Sequence, residues 1–340
     1  MKLIIILLCI LPAFSFSQDF KTYNNYDFVP GDTVVFEDHF IDDQNGEFPA
    51  HWNLGAGQAV MNSVGGVNSL LLTQGNFAHV SPLIKAPVYF SGAFTIEFDR
   101  YFNGSYGPHI YFYANSKDAK NASNDLVNVA LDNEASVKTA ELDLKAPFPP
   151  EILGETHYKE WHHIAIAYKK NQLKIYVDQN RVLVIPNLGV DIHAFDIEGI
   201  GDENSPIVLA NFRIARGSKM NMLGQKFTDT KIVTHGINFD IDKATIKPES
   251  MGTLNMVMQI MKSNPDLKFE VDGHTDNSGS KEHNLTLSQQ RADAVKVRLT
   301  AMGIDAARLT TKGFGDIKPI SDNNTLEGKA NNRRVEFVKK

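Results

Sequence analysis

Val271-Asp-Gly-His-Thr-Asp-Asn-Ser-Gly279, continued by Asn284-Leu-Thr-Leu-Ser-Gln-Gln-Arg-Ala292, is where an alternating apolar run gives way to a helical one. Ahead of it, Leu267-Lys-Phe-Glu-Val271 alternates as a strand with one buried face. Behind it, Ala292, Val295, Leu299 and Met302 recur at spacings of three and four, which puts them on one buried face of a helix. Ser288 offers a capping hydroxyl for that helix and Gly303 a C-terminal stop. Upstream, Lys231–Phe239 alternates as a strand, and Pro248 opens a helix whose stripe is Leu254, Val257, Met258 and Met261, stopped at Asn264-Pro265. Downstream, strands are expected near Leu309–Phe314 and Arg334–Val338. The order is β-α-β-α-β-β, an α/β two-layer sandwich over residues 227–340.

Further motifs stand in register with the first two: Gly313-Phe-Gly-Asp316, Pro319-Ile320, Asn324-Thr-Leu-Glu-Gly328 and Asn332-Arg-Arg-Val-Glu336. In this order and spacing, residues 227–340 resemble the OmpA-like peptidoglycan-binding domain, a family that includes peptidoglycan-associated lipoproteins and flagellar stator proteins. The resemblance implies a non-catalytic domain without metal or cofactor. Its implied ligand is the stem peptide of peptidoglycan, through diaminopimelate, whose free end sets an ammonium beside a carboxylate.

The residues can be read beside that resemblance. Asp276, just past a strand, and Arg291, one turn into the expected helix, lie across a glycine-containing loop, a spacing that lets both face one cleft. A guanidinium grips a carboxylate through two parallel hydrogen bonds, and the N-terminal end of a helix at Ser288 would favour an anion. On spacing alone, Asp276 could equally cap its loop, Arg291 could pair with a core carboxylate and Asn284 could be a turn residue. Carried over from the family, Asp276 and Arg291 hold the ammonium and the carboxylate. Thr275, Asn284 and Leu287 line the groove, Asp240 stands at its rim, and Arg333 or Arg334 closes one side. Asp272, His274 and Asp276 alternate as metal ligands could, but the family uses no metal, so His274 reads as a supporting hydrogen-bonding residue.

Residues 20–215 carry a different pattern of short alternating runs punctuated by Gly, Pro and Asn, and a linker is expected at 216–226. Phe94-Thr-Ile-Glu-Phe-Asp99 puts Phe94, Ile96 and Phe98 on one face. Trp161–Tyr168, Leu173–Asp178 and Arg181–Ile185 are strands separated by hairpin-length turns, and Ile207–Ile214 is the last. These residues resemble the laminin-G or concanavalin-like jelly-roll superfamily, implying an all-β jelly-roll sandwich that recognises a glycan or a protein. Lipid-spanning barrel strands need ~9–11 residues, about twice the length of these runs. Some glycosidases of the jelly-roll type carry Glu-x-Asp-x-x-Glu, which raises the alternative of a wall-targeted glycoside hydrolase. Glu97 and Asp99 fit its first two places, but Phe102 occupies the third, so a solvated strand face is the better reading. His162 and His163 are adjacent and point to opposite faces, a poor metal pair, and Asp202-Glu203-Asn204 is an acidic turn that could hold calcium.

Lys2 followed by an apolar run through Phe14 and by Ser15-Phe16-Ser17 has the layout of a signal peptide over residues 1–17. That predicts an exported protein in the periplasm, associated with cell wall and outer membrane. The single cysteine, Cys9, lies inside the run, so disulfide and thiolate chemistry are not expected after cleavage. Residues 1–215 hold 14 Lys and Arg against 25 Asp and Glu, whereas residues 216–340 hold 20 against 15. An acidic body without basic runs argues against nucleic acid as a partner, and the opposite signs of the two halves suit two domains.

Overall fold

The computed structural model describes residues 26–84, 90, 92–103, 106–113, 126–152, 159–201, 204–217 and 229–340. The expected signal peptide, the Asp202-Glu203 turn and most of the expected linker lie outside the described residues. Thirteen strands form one hydrogen-bonded network. They are β1 (Thr33–Asp38), β2 (Trp52–Val64), β3 (Val67–Pro82), β4 (Phe94–Phe102), β5 (His109–Tyr113), β6 (Leu126–Leu131) and β7 (Glu134–Lys138), then β8 (Asp143–Pro147), β9 (Glu160–Lys169), β10 (Gln172–Val177), β11 (Asn180–Ile185), β12 (Ala194–Gly199) and β13 (Ile207–Arg216). The order is β11-β10-β9-β4-β13-β3-β12-β5-β6-β7-β8, with β1 on β13 and β2 on β3. The ends meet, β8 lying beside β11, so the network wraps one core as a sandwich.

Local chemistry explains its clearest part. Phe94, Ile96 and Phe98 of β4 stand opposite Tyr168, Ile166 and Ile164 of β9, and all six are core residues. Lys170 and Asn171 both take positive φ, 49° and 65°, in the two-residue turn joining β9 to β10, the twist that matches a right-handed hairpin. The strands exceed the runs visible in the sequence: β2 has 13 residues and β3 has 16. β2 and β3 are therefore long enough for a barrel, and it is the cover on both faces of β4 that speaks for a sandwich. Phe94, Ile96 and Phe98 are buried on one side, Thr95 and Glu97 on the other.

The second unit has four strands in the order β14-β17-β15-β16, with only the β15–β16 pair parallel. Its elements are β14 (Lys231–Thr234), α1 (Met251–Ser263), β15 (Phe269–His274), α2 (Lys281–Ala301), β16 (Leu309–Gly313), α3 (Leu326–Asn332) and β17 (Arg334–Lys339). Leu254, Val257 and Met261 of α1 and Ala292, Val295 and Leu299 of α2 share one core with Val271, Phe269 and Phe337 of the sheet. The Arg308 guanidinium donates to the carbonyls of Met261 and Asn264, each at 2.8 Å, satisfying groups that the end of α1 leaves open.

Three expectations are corrected here. The first strand stops at Thr234, and Phe239 makes only an isolated bridge to Ile246. Helix α2 begins at Lys281, capped by Ser280, whose side chain accepts from the His283 amide, so Ser288 is a fully buried mid-helix residue. A short helix, α3, stands between the last two strands.

Among the described residues the two units touch at several places. Tyr26, Phe28 and Val29 lie between Ala165, Ala167 and Tyr176 of the sandwich and the C-terminal core. The Phe28 carbonyl comes so near Gly252 that a Cβ there would sit 1.7 Å from it. The Asn331 side-chain amide pairs with the free edge of β1, donating to the Val34 carbonyl at 2.8 Å and accepting from the Val34 amide at 3.0 Å. No helix among the described residues is long and apolar enough to cross a membrane.

Candidate functional site

The parallel pair β15–β16 brings two loops to one end of the sheet, and α2 rises from the first of them. Helix and sheet approach closely because Gly273 lacks a side chain: a Cβ there would meet the Ser288 carbonyl at 2.2 Å. Asp276 follows β15 directly and is 7% exposed. Its Oδ1 accepts from the Ser278 amide at 2.8 Å, and its Oδ2 is paired with Arg333. Asn284 Nδ2 donates to the Asp276 carbonyl at 3.2 Å, so the first turns of α2 fix the loop. Asp276 therefore does cap its loop, and a carboxylate has acceptor capacity beyond those two contacts.

Arg291 sits in the third turn of α2, not the first, because the helix starts eight residues earlier than a Ser288 cap would place it. No carboxylate among the described residues lies within ion-pair distance of it. Its Nε donates to the Lys243 carbonyl at 2.9 Å, its Nη2 approaches the Asp240 carbonyl at 3.4 Å, and its guanidinium lies 4.9 Å from the centre of the Phe239 ring. Burial, then the neighbouring Arg333 charge, makes this guanidinium more acidic than usual. Asp240 thus presents its backbone to Arg291, while its carboxylate stands 3.9 Å from Lys243.

The two arginines of the doublet take different partners. Arg333 reaches across to Asp276, whereas Arg334 donates to Glu336 Oε1 at 2.7 Å and to the Lys318 carbonyl at 3.1 Å. His274 stacks on Phe314 with ring centres 5.2 Å apart, and neither ring nitrogen has a hydrogen-bond partner, so it packs rather than supports through hydrogen bonds. Burial and the adjacent Arg334 push its imidazole down to about 4.

Asp276, Arg291, Thr275, Asn284, Leu287, Asp240, Arg333 and Arg334 all border one cleft of about 770 Å³. Its opposite wall is the sandwich. Glu37 of β1 binds Arg333 and also lies 3.0 Å from Arg213 Nε. Burial opposes ionisation of Glu37, but these two guanidinia outweigh it and hold its carboxyl well below the usual range. Glu97 and Asp99 are not on a solvated face. Glu97 is 2% exposed, and His163 stands between the two carboxylates, 2.8 Å from Asp99 Oδ1 and 3.5 Å from Glu97 Oε2. His162 turns the other way, to Asp178 at 2.9 Å, as adjacent strand residues must.

Comparison with known proteins bears on the C-terminal unit. Residues 238–333 match the model of the OmpA family. The chain is similar to the probable lipoprotein YiaD of Escherichia coli, 45% identical over 104 residues, which are 31% of this chain and 48% of that protein. It is also similar to the peptidoglycan-binding protein ArfA of Mycobacterium bovis, 43% identical over 31% of this chain and 33% of that one. Among solved structures, the peptidoglycan-associated lipoprotein of Burkholderia pseudomallei is 27% identical with a TM-score of 0.31, covering 36% of this chain and 100% of that one. The chain spans about half or less of the length of these two curated relatives. Residues 238–333 are an OmpA-family domain, joined to the large β-rich region that precedes it.

Proposed function

We propose that this chain is a non-catalytic, exported cell-envelope protein that binds peptidoglycan, its C-terminal domain holding the diaminopimelate of a stem peptide. The observation that carries the reading is that a fixed, buried carboxylate, Asp276, ion-paired to Arg333, shares one cleft with a second guanidinium, Arg291, that has no carboxylate partner among the described residues. Asp276 would accept from the ammonium of the ligand. Arg291, held in place by two backbone carbonyls and Phe239, would receive the carboxylate. Thr275, Asn284 and Leu287 would line the stem-peptide groove, and Arg333, rather than Arg334, would close its side. The likeness to a protein named for peptidoglycan binding supports this reading. The periplasm, at the wall and the outer membrane, is the compartment it implies.

For the sandwich we propose a laminin-G-like recognition module for a glycan or a protein. A non-catalytic role is supported by β4, which pairs with β9 without interruption, so that residue 102 faces away from Glu97 and is in any case Phe. Asp99, the second carboxylate of the glycosidase pattern, is tied to His163 and Asn211.

Charge-assisted hydrogen bonds are worth ~1.5–3 kcal/mol, so Asp276→Ala or Arg291→Ala should weaken binding of the full chain to diaminopimelate-type sacculi about tenfold or more. Arg291→Lys should also fail, because an ammonium lacks the planar fork. The double variant should lose less than the sum. Undiminished binding by a folded Arg291→Ala protein, with thermal melting as the control, would remove the assignment.

A further inference from the structure

We propose that the sandwich is the second wall of this same site, and that its Glu97–Asp99–Asn211 face takes the sugar portion of the muropeptide whose stem peptide is held at Asp276. The inference rests on the reading of Asp276 and Arg291 given above.

The two walls form one continuous polar floor. From Asp276 it runs through Arg333 to Glu37, on to His39 at 3.6 Å and to Asn211 at 2.9 Å. Asn211 Nδ2 donates to Asp99 Oδ2 at 2.6 Å, and His163 links Asp99 to Glu97. Asn211 owes its direction to an irregularity in β13: the register slips between Ala210 and Arg213, and Asn211 takes φ 51°. A bulge of this kind re-aims a side chain, and left-handed backbone outside glycine is concentrated at functional sites.

Among the described residues, the buried polar atoms on the cleft without a hydrogen-bond partner include one acceptor on each wall. One is Oε1 of Glu97 on the sandwich wall, and the other is Oγ1 of Thr275, a residue 6% exposed, on the OmpA-family wall. A buried acceptor left open costs free energy unless something donates to it.

The carboxylates on this floor are already engaged, since Glu37 faces two guanidinia and the two carboxylates of β4 face an imidazole. Burial works against protonation of His163, but the bond to Asp99 and the Glu97 contact raise its basicity well above the ordinary value. A neutral ligand rich in hydroxyl and amide donors fits this floor better than a further cation. Ile41 on the sandwich side and Ile241 on the other are 66% and 81% exposed at the same cleft, apolar lips suited to the C–H face and acetamido methyl of a sugar. The sugar of a muropeptide is covalently joined to the stem peptide, so a ligand seated at Asp276 brings it to the cleft.

The test compares a soluble disaccharide–tetrapeptide with the same tetrapeptide lacking sugar, on the full chain. The sugar should add about tenfold in affinity, and Glu97→Gln should abolish that gain while leaving tetrapeptide binding unchanged. The Ile41 methyl resonance of the unsubstituted protein should shift with the disaccharide–tetrapeptide and not with the tetrapeptide, a readout that holds even where Glu97→Gln fails to fold. Equal affinities for the two ligands, or an Ile41 methyl blind to the sugar, would overturn the composite site. Asp276→Ala separates the two ideas: it should weaken both ligands, and if it weakens neither, the stem-peptide reading itself falls.

Discussion

Replacing Glu37 by Gln removes a charge from between the domains while keeping the shape of the side chain. Glu37 is 5% exposed, Arg213 11% and Arg333 34%. Breaking a buried ion pair costs roughly 3–5 kcal/mol, because the remaining charge is stranded. Here Arg213 keeps its bonds to the His235 carbonyl and Asn238 Oδ1, both at 3.0 Å, and the partly exposed Arg333 keeps Asp276. The lower end, about 3 kcal/mol, is therefore expected, which corresponds to a fall in Tm of roughly 6–12 °C. The sign with pH is set by the depressed carboxyl. Its stabilisation is complete above its ordinary value of 4.5 and is lost as pH falls through the lower value of the folded state. Thermal melts of both proteins from pH 7 to pH 3 should therefore start apart and converge in acid. Curves that coincide at pH 7, or that keep a constant gap to pH 3, would refute an ionised Glu37 joining the domains.

Three smaller predictions follow from other contacts. Asn331→Ala leaves the Val34 amide and carbonyl without partners, a loss of ~1–3 kcal/mol, so exchange of the Val34 amide should accelerate about tenfold or more; unchanged exchange would mean that α3 does not dock on β1. Ser280→Ala should cost about 1 kcal/mol and speed amide exchange in the first turn of α2, whereas no effect there would mean that the helix starts later. His235, pushed down to about 4 by burial against its bond to the Asn331 carbonyl, should show no ring protonation by NMR until pH approaches 4. Because the unfolded chain takes up that proton near 6.5, stability should decline as pH falls from 6.5 towards 4, and titration near 6.5 in the folded protein would contradict the assigned burial.

Much of the C-terminal fold was legible because its helices advertise themselves by period. Leu254, Val257 and Met261, and again Ala292, Val295 and Leu299, are core residues at the expected spacing. The true start of α2 was not legible, since Lys281, Glu282 and His283 are exposed and contribute no apolar rhythm before Leu287. Helix α3 has seven residues, too few to show a period, and its visible sign is the Thr325 cap, whose hydroxyl accepts from Gly328 at 3.0 Å. The eight named site residues do border one cleft, yet its other wall left no trace. Thr95, Glu97 and Asp99 alternate with an apolar face as solvated residues do, and what covers them comes from residues far away in the chain. Long-range cover of a polar strand face has no local signature, so Glu37, and the burial of Glu97 on the cleft, are visible only in three dimensions.

The central claim, that Arg291 receives the carboxylate at the end of the stem residue, is tested most directly by a ligand that lacks only that group. Stem tripeptides ending in diaminopimelate and in lysine differ there by one carboxylate, so the ratio of their affinities isolates its contribution. Calorimetric titration of the full chain should show a preference of about tenfold or more for the diaminopimelate peptide, and Arg291→Ala should erase it. Equal affinity for the two peptides, or a preference that survives in a folded Arg291→Ala protein, would contradict the account.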